Sequence, residues 1–98
     1  MEYEKYVKHI PGDNVADILL FALSTCIWCR KTKSLLKELG VDYKYVDVDL
    51  LEGLAKREAV EEMEKWDISG SFPLLVIGKS DAVLGFKEEK IRRLLGFE

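Results

Sequence analysis

The stretch Ile18-Leu19-Leu20-Phe21-Ala22-Leu23-Ser24-Thr25-Cys26-Ile27-Trp28-Cys29-Arg30-Lys31-Thr32-Lys33 decides how this chain is read. Its first six residues form an apolar run with no polar interruption, as expected of a core strand. Beyond it, Trp28, Thr32, Leu35, Leu36 and Leu39 fall on one stripe of a helix over residues 29–39, with Gly40 as its stop. The two cysteines, the only ones in the chain, therefore stand at a strand-to-helix turn.

That placement points to redox chemistry. A CxxC at a turn puts the first sulfur outside and the second about one helical step inward, close enough for a short disulfide loop. One thiol can attack while the other resolves. The first cysteine also meets the unpaired backbone N–H groups and the positive end of the helix dipole, which favour thiolate, so Cys26 is expected to have a lowered pKa. Arg30, Lys31 and Lys33 add cationic charge nearby, as solvated side chains of modest effect.

Other uses of a CxxC remain open. An intrachain zinc or iron–sulfur site usually needs four ligands, and His9 is the remaining soft donor. A metal or cluster bridging two copies of the chain avoids that ligand count. A purely structural disulfide is the weakest reading, because a four-residue loop removes little unfolded-state entropy.

Outward from the motif, 41–49 alternates as a strand, with Tyr43, Tyr45 and Val46 dividing between faces. Ala55, Ala59, Met63 and Trp66 mark an amphipathic helix over 54–66, whose outer charges are a solvated face. Ser69-Gly70-Ser71-Phe72-Pro73 breaks the chain before a short buried strand at 74–77. A turn at 78–81 leads to a strand at 82–84, and a helix over 87–95 buries Ile91, Leu94 and Leu95 before Gly96. The expected fold is α/β: a mixed four-stranded sheet flanked by three helices. Residues 1–14 form an N-terminal arm or extra strand, and 15–98 the main domain. At 98 residues and 48% hydrophobic, the chain is one domain with no room for a separate cofactor-binding unit.

A net charge of −3 with interleaved signs offers no basic field for nucleic acid. The acidic start Met1-Glu2-Tyr3-Glu4-Lys5 lacks a basic leader region, and no apolar run reaches membrane-spanning length. A soluble, cytoplasmic monomer with protein or small-thiol partners is the expectation.

A CxxC after the first core strand and a Phe-Pro before the third make residues 16–96 resemble the thioredoxin superfamily at glutaredoxin size. The resemblance implies Cys26 as nucleophile and Cys29 as resolving thiol, with a redox-active disulfide between them and no other cofactor. It also implies a cis-proline at Pro73, where Ser71-Phe72-Pro73 stands for the family's Thr-Val-Pro, with adjacent backbone free to pair with an extended substrate. Pro73 has a plainer reading as a strand start that needs no N–H. The motif Cys-Ile-Trp-Cys differs from the usual Cys-Pro-Tyr-Cys, no Lys shortly precedes it, and Gly85-Phe86-Lys87 replaces the late Gly-Gly that helps hold glutathione. Residues 85–91 are instead similar to NrdH-type redoxins, glutaredoxin-shaped electron donors served by a thioredoxin reductase.

Trp28, Arg30, Phe72, Pro73, Gly85 and Phe86 are then the expected substrate-binding residues. Trp28 has an alternative role in helix packing, and Phe86 one in the core. The implied partners are a disulfide-containing protein and, as reductant, a thioredoxin-reductase-like flavoprotein or a low-molecular-weight thiol. A redox-inert docking module with the same fold is the third functional class that the residues allow.

Overall fold

A computed structural model describes residues 1–98. Strand β2 (Ile18–Ala22) is central, with β3 (Tyr43–Asp47) parallel to it on one side and β4 (Leu74–Ile77) antiparallel on the other. Strand β5 (Asp81–Leu84) continues the β4 hairpin, and β1 (Lys8–Ile10) runs antiparallel to β3, giving the order β1-β3-β2-β4-β5. The extra N-terminal strand is therefore present, and the sheet has five strands. Before it, a 3₁₀ turn over Glu2–Tyr6 inserts Tyr3 into the core.

The apolar run is unbroken because both faces of β2 are covered. Ile18, Leu20 and Ala22 point toward helices α1 (Ile27–Glu38) and α3 (Glu88–Leu94) and share a core with Leu36, Tyr43, Val83 and Ile91. Phe21 points the other way and packs with Tyr3, Val46, Met63 and Leu74 against helix α2 (Gly53–Glu64). The period of two along β2 thus supplies both cores.

Most expected elements shift only at their ends. The strand expected over 41–49 is shorter, because the ladder with β2 ends at Ala22–Asp47 and the chain turns into a 3₁₀ segment over Val48–Leu50. Trp66 lies beyond α2 yet still packs on the second core. Asp81 already pairs with Ile77, so β5 begins one residue earlier than expected, after a turn in which Gly78 takes φ +64°. Ile91 and Leu95 are buried as expected, whereas Leu94 is only half-buried.

The larger difference is Trp28. It does not enter the core stripe of α1, which consists of Cys29, Thr32, Leu35 and Leu36. The helix starts at Ile27, so Trp28 sits in its first turn at the end of the sheet, where its neighbour is Phe86. It remains 54% exposed. No helix is long and apolar enough to cross a membrane.

Candidate functional site

The site forms where β2 ends. Cys26 has extended backbone (φ −89°, ψ 120°) and serves as N-cap of α1, with its Sγ accepting the Cys29 N–H at 3.2 Å. Its carbonyl accepts the Arg30 N–H at 3.1 Å, so the helix begins directly at the first cysteine. Cys26 is half-buried and Cys29 fully buried, and both are free thiols. Burial pushes the Cys29 thiol up to about 12, and its hydrogen bond to Cys26 adds to that effect. A backbone contact at Leu23 and the charge of Lys33 act in the opposite direction.

The register brings the remaining predicted residues to the same end of the sheet. Leu74 pairs with Phe21 on one side and Leu84 on the other, so Pro73 and Gly85 stand level with Ala22, the last residue of β2. The Phe72-Pro73 peptide is cis, as the resemblance implied, and Pro73 is buried. Its carbonyl accepts the Gly85 N–H at 2.8 Å, which joins the two loops. Phe72 reaches both cores. Phe86 packs on the α1 side and stacks on Trp28, with ring centroids 6.2 Å apart and planes 22° apart. Phe86 thus has the packing role that was its plainer reading. Arg30 is exposed on α1, while Lys31 places its Nζ 5.2 Å from the Trp28 ring centroid.

Two features escaped the sequence reading. The first is Asp49, which accepts the Ser24 N–H at 2.8 Å and the Ser24 hydroxyl at 2.5 Å. It ties the turn carrying Cys26 to the segment after β3. The second is Lys33, expected to be a solvated cation. Its Nζ instead lies 3.1 Å from Asp47 Oδ1 and 4.2 Å from the Tyr45 ring centroid, with side-chain exposures of 23% for Lys33 and 13% for Asp47. Neither pairing is marked in the sequence: Asp47 ends β3 and Asp49 follows it, 14 and 25 residues from their partners.

His9 plays no part here. It pairs with Asp42 at 2.8 Å across β1 and the start of β3, at the far end of the sheet. A surface cavity of about 780 Å³ lies at that end too, among residues such as His9, Ile18, Asp42, Trp66 and Gly78, and includes neither cysteine. Its size does not make it the chemical site. No three His, Cys, Asp or Glu side chains converge to hold a metal within one chain.

The family model described as Glutaredoxin matches residues 18–81. The chain belongs to the glutaredoxin family. A glutaredoxin from Methanosarcina mazei Go1 is 48% identical, covering 94% of this chain and 89% of its own, with a TM-score of 0.87. Methanosarcina acetivorans methanoredoxin is 46% identical over 88% of this chain and 90% of that one, with a TM-score of 0.85. The NrdH-redoxin of Escherichia coli superposes with a TM-score of 0.65 at 23% identity, over 80% of this chain and 93% of its own, a likeness of fold alone. The glutaredoxin fold, with Cys26 and Cys29 at the end of β2, supports a thiol redox function.

Two predictions follow from this geometry. Asp49→Ala should leave the fold intact and lower the rate of disulfide reduction up to about tenfold, because the turn holding Cys26 loses its tether. The Ser24 hydroxyl holds the Asp49 carboxyl below its ordinary range, so the tether is complete above that range and is lost as pH falls through the lowered value. Steady-state rates of the variant beside the wild type, with circular dichroism to confirm folding, test this.

At high pH the sign reverses. The Cys29 thiol titrates higher when folded than when unfolded, so its contribution is complete below the ordinary thiol value of about 8.5 and is lost as pH rises toward about 12. Burial also pushes Tyr3 up to about 12 and adds to this loss above about pH 10. Denaturant midpoints of the reduced protein should fall across that window, and less steeply in Cys29→Ala.

Proposed function

We propose that the protein is a dithiol–disulfide oxidoreductase that reduces protein disulfides, with Cys26 as nucleophile and Cys29 as resolving thiol. The asymmetry of the two sulfurs supports this most directly. Cys26 is accessible and receives an amide hydrogen bond at the helix N-terminus, while Cys29 is fully buried with its thiol pushed up to about 12. A partly accessible sulfur with a donor on it attacks first, and a fully buried protonated thiol waits.

Cys26 sulfur attacks one sulfur of the substrate disulfide, whose other sulfur leaves as a thiolate. Cys29 then attacks Cys26, and the substrate departs fully reduced as the Cys26–Cys29 bond forms. The exposed Ile27 and Trp28, with Phe86 behind, offer an apolar landing surface beside Cys26, and Arg30 and Lys31 flank it with positive charge. Regeneration would come from a thioredoxin-reductase-like flavoprotein or a low-molecular-weight thiol. Reduction, as opposed to oxidation, suits a chain acting in a reducing cytoplasm.

The test uses the fully reduced protein, a disulfide-bonded protein such as insulin, and no other thiol. One substrate disulfide should be reduced per chain, with mass spectrometry locating a new Cys26–Cys29 bond. Absence of reduction, with both cysteines still free, would overturn the proposal.

A further inference from the structure

Lys33 lies one helical turn beyond Cys29, and side chains at this spacing are neighbours on a helix surface. It is also the one cation of α1 that is ion-paired with a carboxylate. Arg30, Lys31 and Lys37 are exposed, whereas the Lys33 ammonium is fixed between Asp47, 3.1 Å away, and the Tyr45 ring, 4.2 Å from its centroid. Asp47 is the last residue of β3 and stands in register with Ala22, near the end of the strand that leads to the motif. The holder of this charge is thus built into the sheet. A partly buried ion pair adds little net stability, since desolvation offsets most of its attraction. The arrangement therefore calls for a use other than bracing.

Resting on the disulfide reductase reading above, we infer that Lys33 is a positioning residue that keeps a fixed positive charge beside Cys29 and stabilises its thiolate during resolution of the mixed disulfide. In that step Cys29 gives up its proton and its sulfur attacks Cys26 Sγ. The bond between Cys26 and the substrate sulfur breaks, the Cys26–Cys29 bond forms, and the released substrate thiolate takes up a proton. The two electrons come from the cysteine pair, so no further reductant is needed. Once Cys26 is tied up with substrate it carries no charge, and full burial opposes formation of the Cys29 thiolate. The charges acting on Cys29 are those of Cys26 and Lys33, with the Asp47 carboxylate opposing Lys33 from β3 and Tyr45 packed beside it. Of these, Lys33 is the group that eases ionisation of Cys29.

The test separates this role from bracing. A mixed disulfide is preformed between Cys26 and a chromophoric thiol, and release of that thiol is followed against pH in wild type, Lys33→Gln, Lys33→Arg and Asp47→Asn. Alkylation of Cys29 against pH is measured in each in a Cys26→Ser background. Lys33→Gln should move the Cys29 profile up and slow release about two- to threefold at neutral pH, with Lys33→Arg restoring both. Asp47→Asn removes the counter-charge and should move the profile down. Coincident profiles, failure of Arg to rescue, or a shift in the same direction for Lys33→Gln and Asp47→Asn would overturn the inference. If instead the wild type releases no thiol, the reductase reading itself fails, so the two failures are distinguishable.

Discussion

Cys26→Ser should abolish disulfide reduction, with a rate loss of about a thousandfold or more, while Cys29→Ser should stall after one attack. The difference follows from burial. With Cys26 gone, the remaining thiol is still fully buried, and burial, the largest cause of its raised pKa, persists. It can neither reach a protein substrate nor attack it. With Cys29 gone, Cys26 keeps its exposure, its place at the helix N-terminus and the donated Cys29 N–H, which is backbone and survives the substitution. Attack then proceeds and the mixed disulfide accumulates. Non-reducing gels and intact mass measure the outcome: one covalent substrate adduct per chain for Cys29→Ser and none for Cys26→Ser. Adducts at equal rates in both variants would remove the assignment of roles.

Much of this site was legible in the sequence because its decisive signals are local. The run 18–23 reads as a core strand, and CxxC at its end needs only adjacent residues to place one sulfur outside and the other inside. The cis peptide at Phe72-Pro73 came from a family pattern of comparable locality. What stayed hidden depends on chain segments meeting in space. A hydrophobic stripe assigns Trp28 to the core, because periodicity describes the face of a helix and says nothing of where the sheet beneath it stops. Ser24 and Asp49 are 25 residues apart, and Lys33 and Asp47 are 14 apart. Neither pair has any pattern in sequence, and Lys33 looked like one more surface cation among Arg30 and Lys31. The N-terminal arm was ambiguous for a similar reason: Tyr3 becomes a core residue by packing with Phe21 and with residues of α2 far along the chain. The apolar run of β2 was readable, whereas the element covering each of its faces was not.

Phe21 is therefore where a single truncation should cost the fold most. Phe21→Ala should destabilise the protein by about 3–5 kcal/mol, a large part of the roughly 5–15 kcal/mol that holds a small domain folded. The residue is 1% exposed and is among the largest fully buried side chains. It sits in the central strand, in register with both Val46 and Leu74, so the cavity would open in the middle of the sheet where neighbours are least able to close it. It also supports Tyr3, whose ring centroid lies 6.1 Å from its own. Loss of that support should release the 3₁₀ turn over Glu2–Tyr6, and amide exchange there should speed up more than in α1. Phe21→Leu, which keeps most of the volume, should cost less than about 2 kcal/mol and retain slow exchange at the N-terminus. Urea unfolding midpoints give the first quantity and hydrogen exchange the second. Equal small losses in both variants would mean that Phe21 does not link the arm to the second core. Because Leu74 packs in that core and directly follows Pro73, any Phe21→Ala protein that remains folded should also reduce disulfides more slowly, with the reactivity of Cys26 toward a small alkylating agent unchanged.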